Sequence, residues 1–379
     1  MEVTMNGKIR KDRIAKYLIP KLEDEFLFDE FSDNYLNRCG LKDVLSGVPI
    51  PVKKTGIGDL SALNVAKNMA YVMGCDINFR YAESYTKYIK RVFKDGFVPY
   101  FLQQGVECAE KDDYEGACIF FRACIQIDPD NRDGFYCYGR ACKDAYENGE
   151  EEEYVGRFKA ESLEAFEHLT LMAKDFDKGF YFLGFGYLNL GLYIKAKLTW
   201  ERFLELSADK DMREEIESLL DKLVEPCRIE EGYNAVISGR YQEGLDILET
   251  YKTDTRFNSW WPLRYYIGIA YKEVGRNSDA KNMFLETLKL SPSNIDAMKE
   301  LVDIYSSAGD EKNAEKYRNK IRIVEGNIEL DRQDRDKLQK HNDEQGNDKP
   351  YDGGAENENT HNGEARKQNP SYVLSQMTG

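Results

Sequence analysis

Only three histidines, His168, His341 and His361, stand among the 379 residues of this chain. Two of them lie in its polar last section, and no Cys–His or Ser–His–Asp grouping can be assembled around them. The eight cysteines (Cys39, Cys75, Cys108, Cys118, Cys124, Cys137, Cys142 and Cys227) contain no Cys-x-x-Cys pair, so a structural zinc site is not expected. Several of them fall at apolar helical positions, where a thiol packs as a small hydrophobe, and reduced thiols fit a cytoplasmic location. There is no run of about 18 apolar residues to span a bilayer, and the opening MEVTMNGKIRKDRIAKYL has no apolar signal core. Positive charge is also short. A net charge of −15 argues against general nucleic-acid binding, which needs clustered Lys and Arg, and against attraction to anionic lipid. Carboxylates are abundant, but in an acidic helical protein they are mostly solvated faces. Catalysis therefore ranks last among the functional readings, with no cofactor and no metal expected.

The charge that is present is uneven. Residues 1–97 hold 16 Lys and Arg against 13 Asp and Glu, a balance of +3, and the remainder hold 37 against 55, a balance of −18. This difference motivates one reading in which the front segment is an output surface, although it has no recognisable nucleic-acid motif.

The strongest positive signal is a repeat. Segment 261–294, WPLRYYIGIAYKEVGRNSDAKNMFLETLKLSPSN, is 34 residues long. Gly268 is its eighth residue, Tyr271 its eleventh, Gly275 its fifteenth, Ala280 its twentieth, Phe284 its twenty-fourth and Pro292 its thirty-second. Segment 98–131 repeats this with Gly105, Ala117, Phe121 and Pro129. Segment 177–210 repeats it with Gly184, Tyr187, Gly191, Ala196 and Trp200, and segment 295–328 with Tyr305, Gly309 and Ala314. Apolar residues three and four apart mark two amphipathic helices per unit. A Gly or polar pair near the fifteenth place breaks the first helix, and proline ends the second. The small eighth and twentieth residues are expected to face each other, with large residues beside them.

Other units depart from this pattern. Segment 132–176 starts with Phe135, Tyr138 and Gly139, but its small residue is placed late, at Ala165, after an acidic insertion containing ENGEEEEYVG. Segment 225–258 has Gly232, Gly239, Gly244 and Tyr251 without the proline. Residues 211–224 are expected to be an extra helix or a lengthened first helix. A fainter echo at 63–97 has Ala70, Ala82 and Ile89.

This pattern resembles the tetratricopeptide repeat, in length as well as in residue types. The resemblance implies an all-α, right-handed superhelical solenoid of helical hairpins over 98–330, preceded by the degenerate hairpin 63–97. Residues 1–62 are expected to form a helical extension and a Pro/Gly linker. Ile14, Leu18, Leu22 and Phe26 suit helix, Pro20 marks a kink or boundary, and Val-Pro-Ile-Pro-Val should be extended. KTGIGDLS (Lys54 to Ser61) has the wrong Gly and Lys order for a phosphate loop and reads as a linker ending in an Asp or Ser cap. Residues 331–379 are expected to be a disordered tail, ending in a cluster of Tyr372, Val373, Leu374 and Met377 that suits a short linear motif.

The resemblance also implies that first helices line a concave face. Its fifth and ninth places hold Leu102, Val106, Tyr136, Arg140, Tyr181, Phe185, Ile229, Tyr233, Tyr265, Ile269, Lys299 and Asp303. Of these, Leu102, Tyr136, Arg140, Tyr181, Phe185, Tyr233, Tyr265 and Ile269 are the candidate groove. The basic clamp some members use for a terminal carboxylate is missing, since those places hold residues such as Pro99, Gln103, Cys137, Phe182, Glu230 and Tyr266. The expected function is a non-catalytic scaffold for a peptide or protein partner in an apolar and aromatic groove. The alternative is a peptide-sensing regulator.

Overall fold

The computed structural model describes residues 12–56 and 60–345. Its contacts divide the chain into two compact units. The first runs up to Leu188 and includes Lys195–Ile216. The second holds Asn189–Ile194 and the residues from Glu217 on.

The repeats fold as helical hairpins. In the first unit they are α7 (Phe97–Ala109) with α8 (Tyr114–Ile127), α9 (Arg132–Asn148) with α10 (Glu152–Met172), and α11 (Asp177–Leu188) with α12 (Tyr193–Leu206). In the second they are the later part of α13 (Lys210–Ile237) with α14 (Tyr241–Leu248), α15 (Trp261–Glu273) with α16 (Asn277–Leu290), and α17 (Ile295–Ser307) with α18 (Glu311–Gln345). Side-chain caps start many of these helices. Asp113, Asn131 and Asn294 accept from the amides of Gly116, Gly134 and Ala297 at 2.9, 2.7 and 2.9 Å. The fifteenth place turns the chain in left-handed geometry: Gly191, Gly239, Gly275 and Gly309 have φ of 71, 78, 82 and 73°, and Asp112 takes the same place at φ 60°. Glycine adopts this conformation without a Cβ penalty.

The expected facing of eighth and twentieth residues is seen where a Cβ on Gly244 would lie 2.9 Å from the Gly232 carbonyl oxygen, and a second contact, with the twenty-fourth residue, adds to it. A Cβ on the eighth-place glycine would meet the twenty-fourth residue first. The atoms nearest Gly105, Gly184 and Gly268 belong to Phe121, Trp200 and Phe284, and Gly232 faces Leu248. Backbone and ring are thus in direct contact, and the twentieth-place alanines Ala117, Ala196 and Ala280 are fully buried. In the inserted repeat Gly139 meets Phe166. The small residue four before Phe166 is Ser162, whose hydroxyl donates to the Gly139 carbonyl at 2.8 Å. Ser162, not Ala165, therefore holds the small position, and the insertion is shorter than the spacing to Ala165 suggests. Residues 211–224 are part of the continuous helix α13, the lengthened first helix, with Pro226 inside it.

The front of the chain is less helical than expected. Its helices are α1 (Ala15–Leu18), α2 (Pro20–Glu25), α3 (Asp33–Cys39) and α4 (Lys42–Leu45), and they alternate with strands β1 (Phe26–Asp29) and β2 (Ile50–Lys53). The strands pair antiparallel, with Phe26 opposite Lys53 and Asp29 opposite Ile50. The proline-rich piece is extended, as its local sterics demand, and Phe26 opens a strand instead of ending a helix. Ile14, Leu18, Leu22 and Phe26 are nonetheless all buried, so their spacing marked one inward face. Ser61 caps α5 (Ala62–Cys75) by accepting from the Asn64 amide at 3.4 Å.

Residues 63–97 do not close as a hairpin of the repeat type. Helix α5 lies mainly against α8 and β2, with α6 (Ala82–Phe93) a lighter partner. A Cβ on Gly74 would sit 2.0 Å from the Ile119 carbonyl oxygen.

The segment from Asp12 to Glu25 straps across α8 and α10, the second helices of two successive hairpins. Asp12 and Arg122 form a buried ion pair, with side chains 6% and 4% exposed. Arg13 reaches Glu161 at 3.1 Å and also pairs with Glu164. Lys16 pairs with Glu153, and Lys21 reaches Glu115 at 2.8 Å. Tyr17 packs on Tyr154 with ring centroids 4.9 Å apart.

At the other end, α18 continues through residues 331–345, so the expected tail boundary at 331 falls inside a helix. Residues 346–379, including the cluster Tyr372, Val373, Leu374 and Met377, lie outside the described residues, as do residues 57–59 of KTGIGDLS. No described helix is long and apolar enough to cross a membrane.

Candidate functional site

The candidate residues sit on first helices, and the two units present them separately. In the first unit, Leu102 is half-buried on α7, Tyr136 is half-buried on α9, and Arg140, one turn further on, is exposed. Tyr136 meets Phe176 edge-on at 5.3 Å and lies 5.9 Å from Phe182. The Arg140 guanidinium stands 5.9 Å from the Tyr136 ring and 5.5 Å from the Phe182 ring, within range of a cation–π contact with each. Phe182 in turn stacks on Phe166 at 5.3 Å and 13°, which ties this patch to the lock of its hairpin. Tyr181 and Phe185 on α11 are half-buried but lean on the second helix. Phe185 meets Trp200 at 4.9 Å and Tyr181 meets Phe203 at 5.5 Å. The Tyr181 hydroxyl donates to Glu215 at 2.7 Å, and burial first, then that hydrogen bond, pushes its ionisation far up.

In the second unit, Tyr233 on α13 stacks on Tyr266 of α15 at 5.1 Å and 21°. Tyr265 lies 5.5 Å from Tyr266 and 6.4 Å from Trp261. Burial, helped by Glu300 and Asp296, raises the Tyr265 hydroxyl to about 12, so it is a neutral donor at ordinary pH. Ile269 is half-buried on the same helix. Beyond it, Lys272 reaches Glu300 at 2.5 Å and Asp303 at 3.2 Å, a polar end to this face. Ile229, also at a fifth place, is fully buried and belongs to the core, whereas Val106 and Lys299 are exposed.

The structure thus joins Tyr136 to Arg140 and, separately, Tyr233 to Tyr265. The residues that complete each patch, Phe182 and Tyr266, occupy sixth places. Their signal in the sequence was the aromatic pair Tyr181–Phe182 and the pair Tyr265–Tyr266, where the fifth residue alone was chosen. The carboxylate of Glu230, at a clamp position, is buried and accepts from the Ile194 amide at 2.8 Å, so it serves the fold. His168 packs against the Phe135 ring at 4.4 Å. Among the described residues no group of three or more His, Cys, Asp and Glu could hold a metal ion.

Residues 98–131 match the family model of the tetratricopeptide repeat. No curated protein matches the chain. Among solved structures, the tetratricopeptide-repeat domain of P58(IPK) is 12% identical, with a TM-score of 0.42, over 71% of this chain and 75% of that one. YrrB, described as a tetratricopeptide-repeat protein with an unusual peptide-binding site, is 15% identical with a TM-score of 0.26, over 64% and 93%. MamA from Desulfovibrio magneticus RS-1 is 11% identical with a TM-score of 0.24, over 61% and 96%. The glycine–ring contact of the matched repeat, Gly105 on Phe121, recurs as Gly139 on Phe166, Gly184 on Trp200 and Gly268 on Phe284. The chain thus carries a tetratricopeptide repeat at residues 98–131.

Proposed function

We propose that the chain is a non-catalytic interaction scaffold that holds a peptide or protein partner on the aromatic faces of its first helices. The observation that carries this reading is the patch on α9 and α11. An exposed guanidinium stands beside two rings, Tyr136 and Phe182, that the fold leaves half-open. Tyr and Arg are the residue types that most often dominate binding energy, because each combines large contact area with a polar tip. Such a surface suits a peptide with an apolar anchor followed by a carboxylate or carbonyl. The stacked tyrosines Tyr233, Tyr265 and Tyr266 offer a second platform of the same kind in the second unit. Leu102, Tyr181, Phe185 and Ile269 extend the two faces. A cytoplasmic setting without bound cofactor fits this role.

The alternative, in which the front segment (residues 1–97) is an output surface, draws less support. Three of the front's sixteen cations, Arg13, Lys16 and Lys21, are engaged by glutamates of α8 and α10.

Selection from a random-peptide display library on the full chain tests the proposal. Selected peptides should carry an aromatic or branched apolar anchor. Their affinity should fall about tenfold or more, a loss of about 1.4 kcal/mol or more, on Tyr136→Ala combined with Arg140→Glu, with the circular dichroism unchanged. Peptides that bind this variant and the parent equally would refute the assignment.

A further inference from the structure

The second unit holds a cleft of about 520 Å³ between α16 and α18. These are the second helices of successive hairpins, so the cleft is separate from the first-helix face. Its floor is apolar: Met283 and Tyr317 are buried, and Leu285 and Leu288 are half-buried. Lys252, Lys289 and Lys320 stand around it. The two carboxylates that also line it are already engaged, since Asp279 is held by Arg276 at 2.8 Å and Glu286 by Arg264 at 3.4 Å. Behind Glu286, the buried Arg264 keeps Nη1 without a hydrogen-bond partner. None of the three lysines forms an ion pair among the described residues. Lys252 and Lys320 lie instead over the rings of Tyr271 and Tyr317, at 5.5 and 5.4 Å.

In a chain of net charge −15, three cations without carboxylate partners around an apolar floor are a local inversion of the surface charge. We propose that this cleft is a second docking site, which takes an acidic peptide segment carrying apolar side chains. Leucine-sized groups would fill the floor, and the carboxylates would meet Lys252, Lys289 and Lys320. Complementary charge of this kind sets specificity and on-rate and makes binding sensitive to salt. The apolar floor favours a peptide over a nucleic acid, which would need a broader run of cations and phosphate contacts.

The test uses the full chain and a fluorescein-labelled synthetic peptide of repeated Glu-Asp-Leu-Ser, with a Gln-Asn-Leu-Ser twin, in anisotropy titrations at low salt. The acidic peptide should bind saturably, and its twin roughly tenfold more weakly or worse. Lys289→Glu with Lys320→Glu, both at exposed positions, should lower the affinity of the acidic peptide by a similar factor at unchanged helicity. Tyr136→Ala with Arg140→Glu should leave it unchanged, which separates this site from the first-helix face. The proposal is overturned by an absence of saturable binding, by equal binding of the twin, by affinity within about twofold in the lysine variant, or by an oligonucleotide that binds more tightly than the peptide.

Discussion

A methyl group added at Gly184 would lie 2.1 Å from Nε1 of Trp200, far inside the sum of the two van der Waals radii. Trp200 cannot retreat easily, because it is fully buried and donates to the Tyr181 carbonyl at 3.0 Å. Gly184→Ala is therefore expected to destabilise the first unit by about 1–3 kcal/mol, as overpacking does, read as a lower urea midpoint. Gly275→Ala makes the contrasting case. Its Cβ would meet nothing within 4 Å, but the residue sits at φ +82°, so the cost is the left-handed strain alone, about 1–2 kcal/mol. An Asn at position 275, which tolerates that conformation, should recover part of the loss, whereas Asn at position 184 should be worse than Ala. Equal losses for Gly184→Ala and Gly184→Asn would mean that the ring contact is not what fixes this glycine. At this scale the sequence was largely legible. Glycine at the eighth place and a ring at the twenty-fourth were both visible. What could not be read was that they touch each other, because contact across a hairpin depends on the crossing of two helices and not on spacing along either one.

Among the elements, the strap from Asp12 to Glu25 separates effects of different size. Asp12→Asn leaves the buried Arg122 charge uncompensated, and breaking one side of a buried pair costs about 3–5 kcal/mol. Lys16→Gln removes a pair whose side chains are 32% and 40% exposed, and such pairs contribute about 0–1 kcal/mol. Urea unfolding of the two variants should therefore differ severalfold in its effect. Comparable small losses in both would show that the strap is not anchored through Arg122. The strap was half-legible. Its inward face, Ile14, Leu18, Leu22 and Phe26, followed from a spacing of four. Its partners did not, because pairs such as Asp12 with Arg122 join residues more than a hundred positions apart. The same reason hid the place of α5, whose Gly74 packs on Ile119 of a helix beyond its own neighbour. The β1–β2 pair was missed because Phe-Leu-Phe carries no alternation. Only the proline-rich strand had a local signal, and Leu27 and Phe28 remain exposed on its partner.

For the whole molecule, one hairpin plan is repeated along the chain, and the two proposed docking sites lie on different parts of it, one on first helices and one on second helices. Periodicity made the hairpins readable, since most units reuse the same spacing. The candidate faces were less readable, because half-burial decides them. Ile229 and Tyr233 stand one turn apart on α13, yet the first is core and the second is stacked at the surface on Tyr266. The claim that the first-helix aromatics hold the partner meets its most direct test in hydrogen–deuterium exchange of the full chain, with and without a display-selected peptide. The account predicts slowed exchange in α9 and α11, centred on Tyr136, Arg140 and Phe182, and not in α10 or α12. Protection confined to the second helices, or to the strap, would contradict it.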